Sequence, residues 1–366
     1  MTIERIKSSL RLVKLLAMLA LCAARIDAQT PTTLWSVDLG ADKDFQKRLT
    51  IQEVLLGPPF VSFLNESQII CSFYDREKVG FDPSIEQPIF HVLEIDVRTG
   101  AFGRKLDFQS VNDRSLAFPV ADGGFVVLAG QELRKFSSSF VPGLTYPTPV
   151  GGTYRLPDYW LADVAPEGKE IILFNRHEHD MAFKWLRSDD LTLMRNLPTG
   201  INWRITGSNN AVTDFRNEQL AILSMGGTVL RTCKLCIFNF LTDDLLFIDT
   251  GRTYSIETIR SQKRASGKLD GGASDFARSF HASRFAFLSG HYNGSGFPIR
   301  RNFNSLTGKI IVLDWNTNKR VAEIDVNEPA GNPSAGLTQS ALALSPDGDY
   351  LLVLLHHTMT CYRLPR

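Results

Sequence analysis

Apolar residues along this chain come in short runs separated by compact polar turns, and the same two-run unit keeps returning. Its most complete copy is Ser340 to Leu355, two apolar runs around Ser345-Pro346-Asp347-Gly348. Pro presets one turn dihedral, Asp bonds to the backbone ahead of it, and Gly tolerates a positive φ. Runs of this length on either side of such a turn read as a β-hairpin buried on both faces. Related hairpins flank Asn65-Glu66-Ser67, Ala121-Asp122-Gly123, Ala165-Pro166-Glu167-Gly168, Arg216-Asn217-Glu218 and His281-Ala282-Ser283. Third strands follow, several ending in turns such as Arg98-Thr99-Gly100, Ser188-Asp189-Asp190, Thr242-Asp243-Asp244 and Asn316-Thr317-Asn318.

The first turns recur every 45 to 66 residues, by position number, at 66, 122, 167, 217, 283 and 347. A period in that range with four strands per unit means a β-propeller. The reading is an all-β chain forming a single propeller of six four-stranded blades, with seven as the alternative. The last unit supplies only three strands before the chain stops at Arg366, while Thr32 to Leu39 is a strand with no hairpin partner nearby. An open blade would expose an unpaired edge. The N-terminal strand is therefore expected to close the last blade.

Ser345-Pro-Asp-Gly348 before a β-run, with third strands of the Leu93-Glu-Ile-Asp-Val-Arg-Thr-Gly100 and Ile311-Val-Leu-Asp-Trp-Asn-Thr-Asn318 type, resembles the bacterial WD-repeat-like and quinoprotein-like β-propeller superfamily. The resemblance covers nearly all of the chain after the N-terminal segment. It implies architecture and says little about activity, because that superfamily includes enzymes, scaffolds and binding proteins.

Composition changes the picture mainly at the N-terminus. Arg5, Lys7, Arg11 and Lys14 precede an apolar run from Leu15 to Ala24, and Ile26-Asp27-Ala28 ends in a small residue suited to cleavage before Gln29. Residues 1–28 thus read as a secretory signal peptide and 29–366 as the propeller domain. The run is too short to span a membrane. Cys22 lacks the small preceding residue that a lipobox needs, since Leu21 stands there. A secreted or periplasmic protein is expected, with no transmembrane segment once the signal is removed. Losing residues 1–28 removes five basic and two acidic groups from totals of 40 and 39, leaving the mature chain at about −2. Near-neutral charge without a long basic tract argues against nucleic acid as a partner.

On a propeller the A–B and C–D connections share one face, and the B–C and D–A connections share the other. The long segments, Asp75 to Ile89, Val150 to Asp158, Pro198 to Asn210, Gly251 to Ser274 and His291 to Gly308, all read as B–C or D–A connections. Long loops on a rigid scaffold collect binding residues. The ligand-binding candidates on that face are His177, His179, His291, Tyr292, Arg300, Arg301, His356, His357 and Trp203. The five histidines fall in B–C connections of blades three, five and six of a six-bladed ring. With Glu178 and Asp180 they offer imidazole and carboxylate ligands for a divalent metal. No HExxH-type pair fixes such a site, so no cofactor and no metal are expected, and separate loop histidines are the plainer reading. Arg300 and Arg301, with Arg260, Lys263, Arg264 and Lys268, put positive charge there for an anionic ligand or acidic glycan.

Cys233-Lys-Leu-Cys236 has the spacing of a redox or metal pair but lacks a second CxxC or a following helix. It lies within Thr228 to Phe240, a strand-like run where residues three apart point to opposite faces, so a disulfide there needs a local turn. A second bond, Cys71 to Cys361, would join first and last blades. No catalytic residue is assigned, since no nucleophile elbow, P-loop or dinucleotide fingerprint occurs at a strand-to-helix junction. The reading is an exported monomeric binding module for a protein, glycan or small anionic ligand. The competing class is a propeller enzyme, a metal-assisted lactonase-like hydrolase or a quinoprotein-like oxidoreductase.

Overall fold

The computed structural model describes residues 30–38, 60–74, 89–109, 115–129, 131–148, 152–153, 156–157, 159–165, 167–177, 180–199, 203–204, 211–216, 219–224, 228–234, 236–260, 262–293, 305–328, 340–355 and 358–366. Every element among them is a strand or a turn, and the strands form seven four-stranded antiparallel sheets plus one two-residue ladder, Gly152–Thr153 against Leu156–Pro157. Six of the sheets are the units the turns announce. The seventh, Ile237–Phe240, Leu245–Asp249, Thr253–Thr258 and Lys263–Lys268, fills the widest gap between turns, so the ring has seven sheets, the alternative count.

We number the blades 1 to 7 from Phe60 onward and letter their strands A to D from the first in sequence. Blade 7 takes its A to C strands from Ser340–Leu344, Tyr350–Leu355 and Thr358–Arg363, and its D strand from the N-terminal Thr32–Asp38. Thr32 pairs with Arg363 and Asp38 with Thr358, so the two chain ends close one sheet as expected.

Buried apolar side chains pack neighbouring blades on one another. One buried cluster joins blades 7 and 1 through Trp35, Phe63, Ile69, Leu93 and Met359. Further clusters join blades 1 and 2, 2 and 3, 4 and 5, 5 and 6, and 6 and 7. Between blades 5 and 6 the seal is aromatic, with Phe247 against Tyr254, Phe285 and Phe287 at centroid distances of 5.0 to 5.3 Å. B strands are buried along their whole described length in blades 2 and 5, whereas the D strands are exposed. That gradient explains why the sequence shows hairpins A–B so clearly and D strands so faintly.

The seventh sheet revises several sequence assignments. Thr242-Asp243-Asp244 closes the A–B hairpin of blade 5 rather than a C–D hairpin, and Gly251 to Ser274 contains two strands rather than one long loop. Residues 217–218 lie between the second and third strands of blade 4, whose short A strand is Trp203–Arg204. Cys71 and Cys361 share the buried cluster at the ring closure as thiols, not as a disulfide. Burial pushes the Cys361 thiol up to about 12.

Candidate functional site

Blade 6 is built differently from the others. Its B, C and D strands, Arg284–Asn293, Ser305–Asp314 and Lys319–Glu328, are each 10 residues long. In the other blades the same strands run to between 5 and 8 residues. The inner strand of blade 6 begins with Gly272 opposite Gly290. Past that point His291 pairs with Thr307, Tyr292 with Leu306 and Asn293 with Ser305, while Leu306 and Thr307 pair outward with Glu328 and Asn327. A three-stranded extension thus continues about 10 Å beyond the inner strand, at about 3.4 Å per residue. It carries the B–C connection of the blade.

Glycines make its base. A Cβ on Gly271, whose φ is 145°, would lie 2.2 Å from the Gly290 carbonyl oxygen, and one on Gly308 would lie 2.4 Å from that of Ser289. Only glycine lets the crossover from blade 5 press against these strands. The Asp270 amide donates to Ser289 Oγ at 3.2 Å on the same spot. Asp249, 3% exposed, stays satisfied there: its carboxylate accepts from the Ala273 amide at 2.7 Å and the Gly251 amide at 2.6 Å. Blade 5 is thereby pinned to the root of blade 6. On the outer side Lys309 Nζ lies 3.1 Å from Glu323 and 3.7 Å from Asp325. Burial acts to raise the Glu323 carboxyl, but hydrogen bonds from Arg320 and Lys309 hold it below the usual range.

The opposite face, formed by A–B and C–D turns, is tied blade to blade. The Ala121 amide donates to the Gly168 carbonyl at 3.0 Å, and the His281 amide to the Pro346 carbonyl at 2.8 Å. The Asp347 amide donates to Glu66 Oε1 at 2.7 Å, and Arg284 donates to the Gly348 carbonyl at 2.6 Å. Arg278, on the inner strand of blade 6, donates to Phe240 O of blade 5 at 3.0 Å and to Val164 O of blade 3 at 3.3 Å. One guanidinium therefore joins three blades where their inner strands end. These short connections are committed to holding the ring, which leaves the longer ones to carry contacts outward.

Of the sequence candidates, His291 and Tyr292 lie in the blade 6 extension, and His177 ends the B strand of blade 3, partnered with Asp180. Trp203 belongs to the inner strand of blade 4, opposite Asp214, rather than to a long loop. His179, Arg300, Arg301, His356 and His357 lie outside the described residues. The extra sheet renumbers the histidine connections to blades 3, 6 and 7, so the first is three blades from either of the others. Among the described residues no group of three or more His, Cys, Asp or Glu side chains is placed to hold a metal ion. Arg260 falls in the C–D turn of blade 5, with Lys263 and Arg264 at the start of its D strand, on the opposite face from the one expected. Cys233 and Cys236 are disulfide-bonded with their Cα atoms 6.0 Å apart. The turn that this needs is the crossover between the D strand of blade 4 and the A strand of blade 5.

Sequence reading did not find Arg278, Asp249 or the Gly271, Gly290 and Gly308 cluster. Arg278 and Asp249 bond to other blades, Gly308 meets Ser289 and Gly290 across paired strands, and only Gly271-Gly272 left a local mark, as a turn signal.

No family model matches the chain, and no curated protein matches it in sequence. Solved structures do. The WD40 domain of Neurospora crassa Pan2 superposes with a TM-score of 0.54 at 11% identity, covering 93% of this chain and 97% of that one. Chaetomium thermophilum Raptor superposes with a TM-score of 0.55 at 10% identity, covering 93% of this chain but 29% of the Raptor chain. Among the described residues no helix is long and apolar enough to cross a membrane. With seven four-stranded sheets closed through its own N-terminal strand, this chain has the WD-repeat-like β-propeller fold.

Proposed function

We propose that this protein is an exported, non-enzymatic module that binds a partner protein on its B–C and D–A face, with the blade 6 extension as the anchor. The carrying observation is the asymmetry of the ring. One face is cross-tied between blades 2 and 3, 6 and 7, and 7 and 1. On the other, blade 6, with B, C and D strands of 10 residues, carries its B–C ladder three residues past its inner strand, further than any other blade among the described residues. A rigid disc that lengthens one blade presents a preorganised edge and loses little entropy on binding. Edge backbone along the extension offers hydrogen bonds to an incoming chain. Export follows from the N-terminal charge and hydropathy pattern.

The test replaces residues 292–306 by Asn-Gly, so that His291 and Thr307 flank a two-residue turn. Tagged native and shortened proteins are cross-linked in the exported-protein fraction and their contacts mapped by mass spectrometry. The shortened form should melt like the native one and lose the native cross-linked partner. Retention of the same partner would overturn the reading. Amino-terminal sequencing of the secreted product should begin at Gln29.

A further inference from the structure

The exposed large apolar residues among the described residues all occupy one position in the blade. Leu34, Phe102, Val141, Leu144, Leu193, Met194, Val229 and Leu230 lie at the starts of the D strands of blades 7, 1, 2, 3 and 4. Singly exposed apolar residues are ordinary; a shared position on five consecutive blades is not. Exposure peaks in the middle of the arc, at 59% for Val141 and 51% for Leu144 of blade 2. The same positions in blades 5 and 6 read Lys263-Arg264 and Lys319-Arg320, all exposed.

Charge decides which part of this rim can meet a copy of itself. No Asp or Glu occupies the first three residues of any D strand in the arc. The arginines there are neutralised from within, Arg104 by Glu94 at 2.7 Å, Arg231 by Glu257 at 2.6 Å, and Arg195 by Glu170 at 3.6 Å. A self-contact of the arc thus brings apolar side chains together without unbalanced like charge. A self-contact of the Lys-Arg sector would set Lys263, Arg264 and Lys319 against one another, Arg320 being paired with Glu323. Pro142 and Pro147 bracket the outer strand of blade 2 and withhold two amides from that edge. Pairing into a continuous sheet is blocked, and side-chain packing is left.

We infer that a second copy of this chain covers the middle of the arc, in a two-fold dimer whose axis passes the outer strand of blade 2. Such a contact is isologous, with blades 1, 2 and 3 of one copy against 3, 2 and 1 of the other. It leaves the blade 6 extension free and does not rest on the partner proposed above.

Light scattering and sedimentation velocity on the mature protein at about 10 µM, a concentration that populates a sub-micromolar dimer, test it. The dimer mass is expected for the native protein and for Lys319→Ala. The Val141→Asp, Leu144→Asp double variant should run as a monomer with an unchanged thermal melt. A monomeric native protein, or a double variant that stays dimeric, overturns the inference. So does a monomer that floats with phosphatidylglycerol vesicles in an arc-dependent way, which would assign the arc to a lipid surface. Because the arc lies away from blade 6, none of these outcomes alters the cross-linking readout of the shortened form.

Discussion

The indole Nε1 of Trp35 donates to the carbonyl oxygen of Val97 at 2.6 Å, across 62 residues of sequence. Its ring also rests on the blade 1 turn, where a Cβ on Gly100 would come within 2.8 Å of it. The N-terminal strand therefore completes blade 7 and locks blade 1 in a single contact. Trp35→Ala should destabilise by about 3–5 kcal/mol, as for a buried aromatic, and Trp35→Phe by about 1 kcal/mol for the lost hydrogen bond. Gly100→Ala, at φ 71°, should also lower the melting temperature. Deleting residues 29–40 should lower it most, and an unchanged melt would show that the closure contributes nothing.

Arg278 supports the ring from inside. Replacing it with Met keeps the length of the side chain but leaves the Phe240 and Val164 carbonyls without this donor. A loss of about 1.5–3 kcal/mol is expected from hydrogen bonds to a charged group. Lys, a point donor, should recover only part of it. Urea unfolding of the three proteins measures the difference, and equal midpoints would remove Arg278 from the account.

Acid stability turns on Glu94. The Arg104 side chain above all, then the Arg104 amide and Gln68, hold its carboxyl at about 2, against burial that acts to raise it. A depressed folded pKa means the group favours folding above its unfolded value of 4.5 and loses that contribution as pH falls towards 2. Glu66 and Glu170 have the opposite sign. Burial raises both, so each costs stability as pH rises above 4.5. Glu94→Gln should flatten the acid limb of a stability–pH curve between about 4.5 and 2, whereas Glu170→Gln should raise stability near neutrality. Curves parallel to the native one would contradict both assignments.

Thiol chemistry gives a direct count. A protein that begins at Gln29 would hold four of the five cysteines. Two of them, Cys71 and Cys361, are buried thiols outside any disulfide, and Cys233 and Cys236 are bonded to each other. The denatured, unreduced protein should titrate as two thiols, and the folded one as none at neutral pH. Cys233→Ser with Cys236→Ser should cost about 2 kcal/mol at most, since the closed loop is short. A count of four in the unreduced sample would exclude the bond.

Most of the architecture was legible along the chain. Turn chemistry and apolar runs announced six sheets, and the unfinished last unit beside an orphan strand announced the closure through Thr32–Asp38. Blade 5 was hidden for a physical reason. Its C and D strands, Thr253–Thr258 and Lys263–Lys268, alternate buried and exposed residues or are largely exposed. Their short polar pattern is as compatible with a loop as with an outer strand. The long-loop face was legible as a trend, but its strongest feature, the extension of blade 6, was read as a loop, because residues 291–293 and 305–307 offer a single pair, Tyr292 and Leu306, between polar neighbours, too short a pattern to announce a strand.

The local pattern of the chain determined the class, the repeat and the way its ends meet, because hairpins and their turns are set by neighbours in sequence. Only the tertiary structure decided the number of sheets and what Arg278, Asp249 and Trp35 hold. It also decided where the exposed apolar side chains collect. Those properties depend on pairs 24 to 114 residues apart, brought together by ring closure, and no window of sequence contains both members.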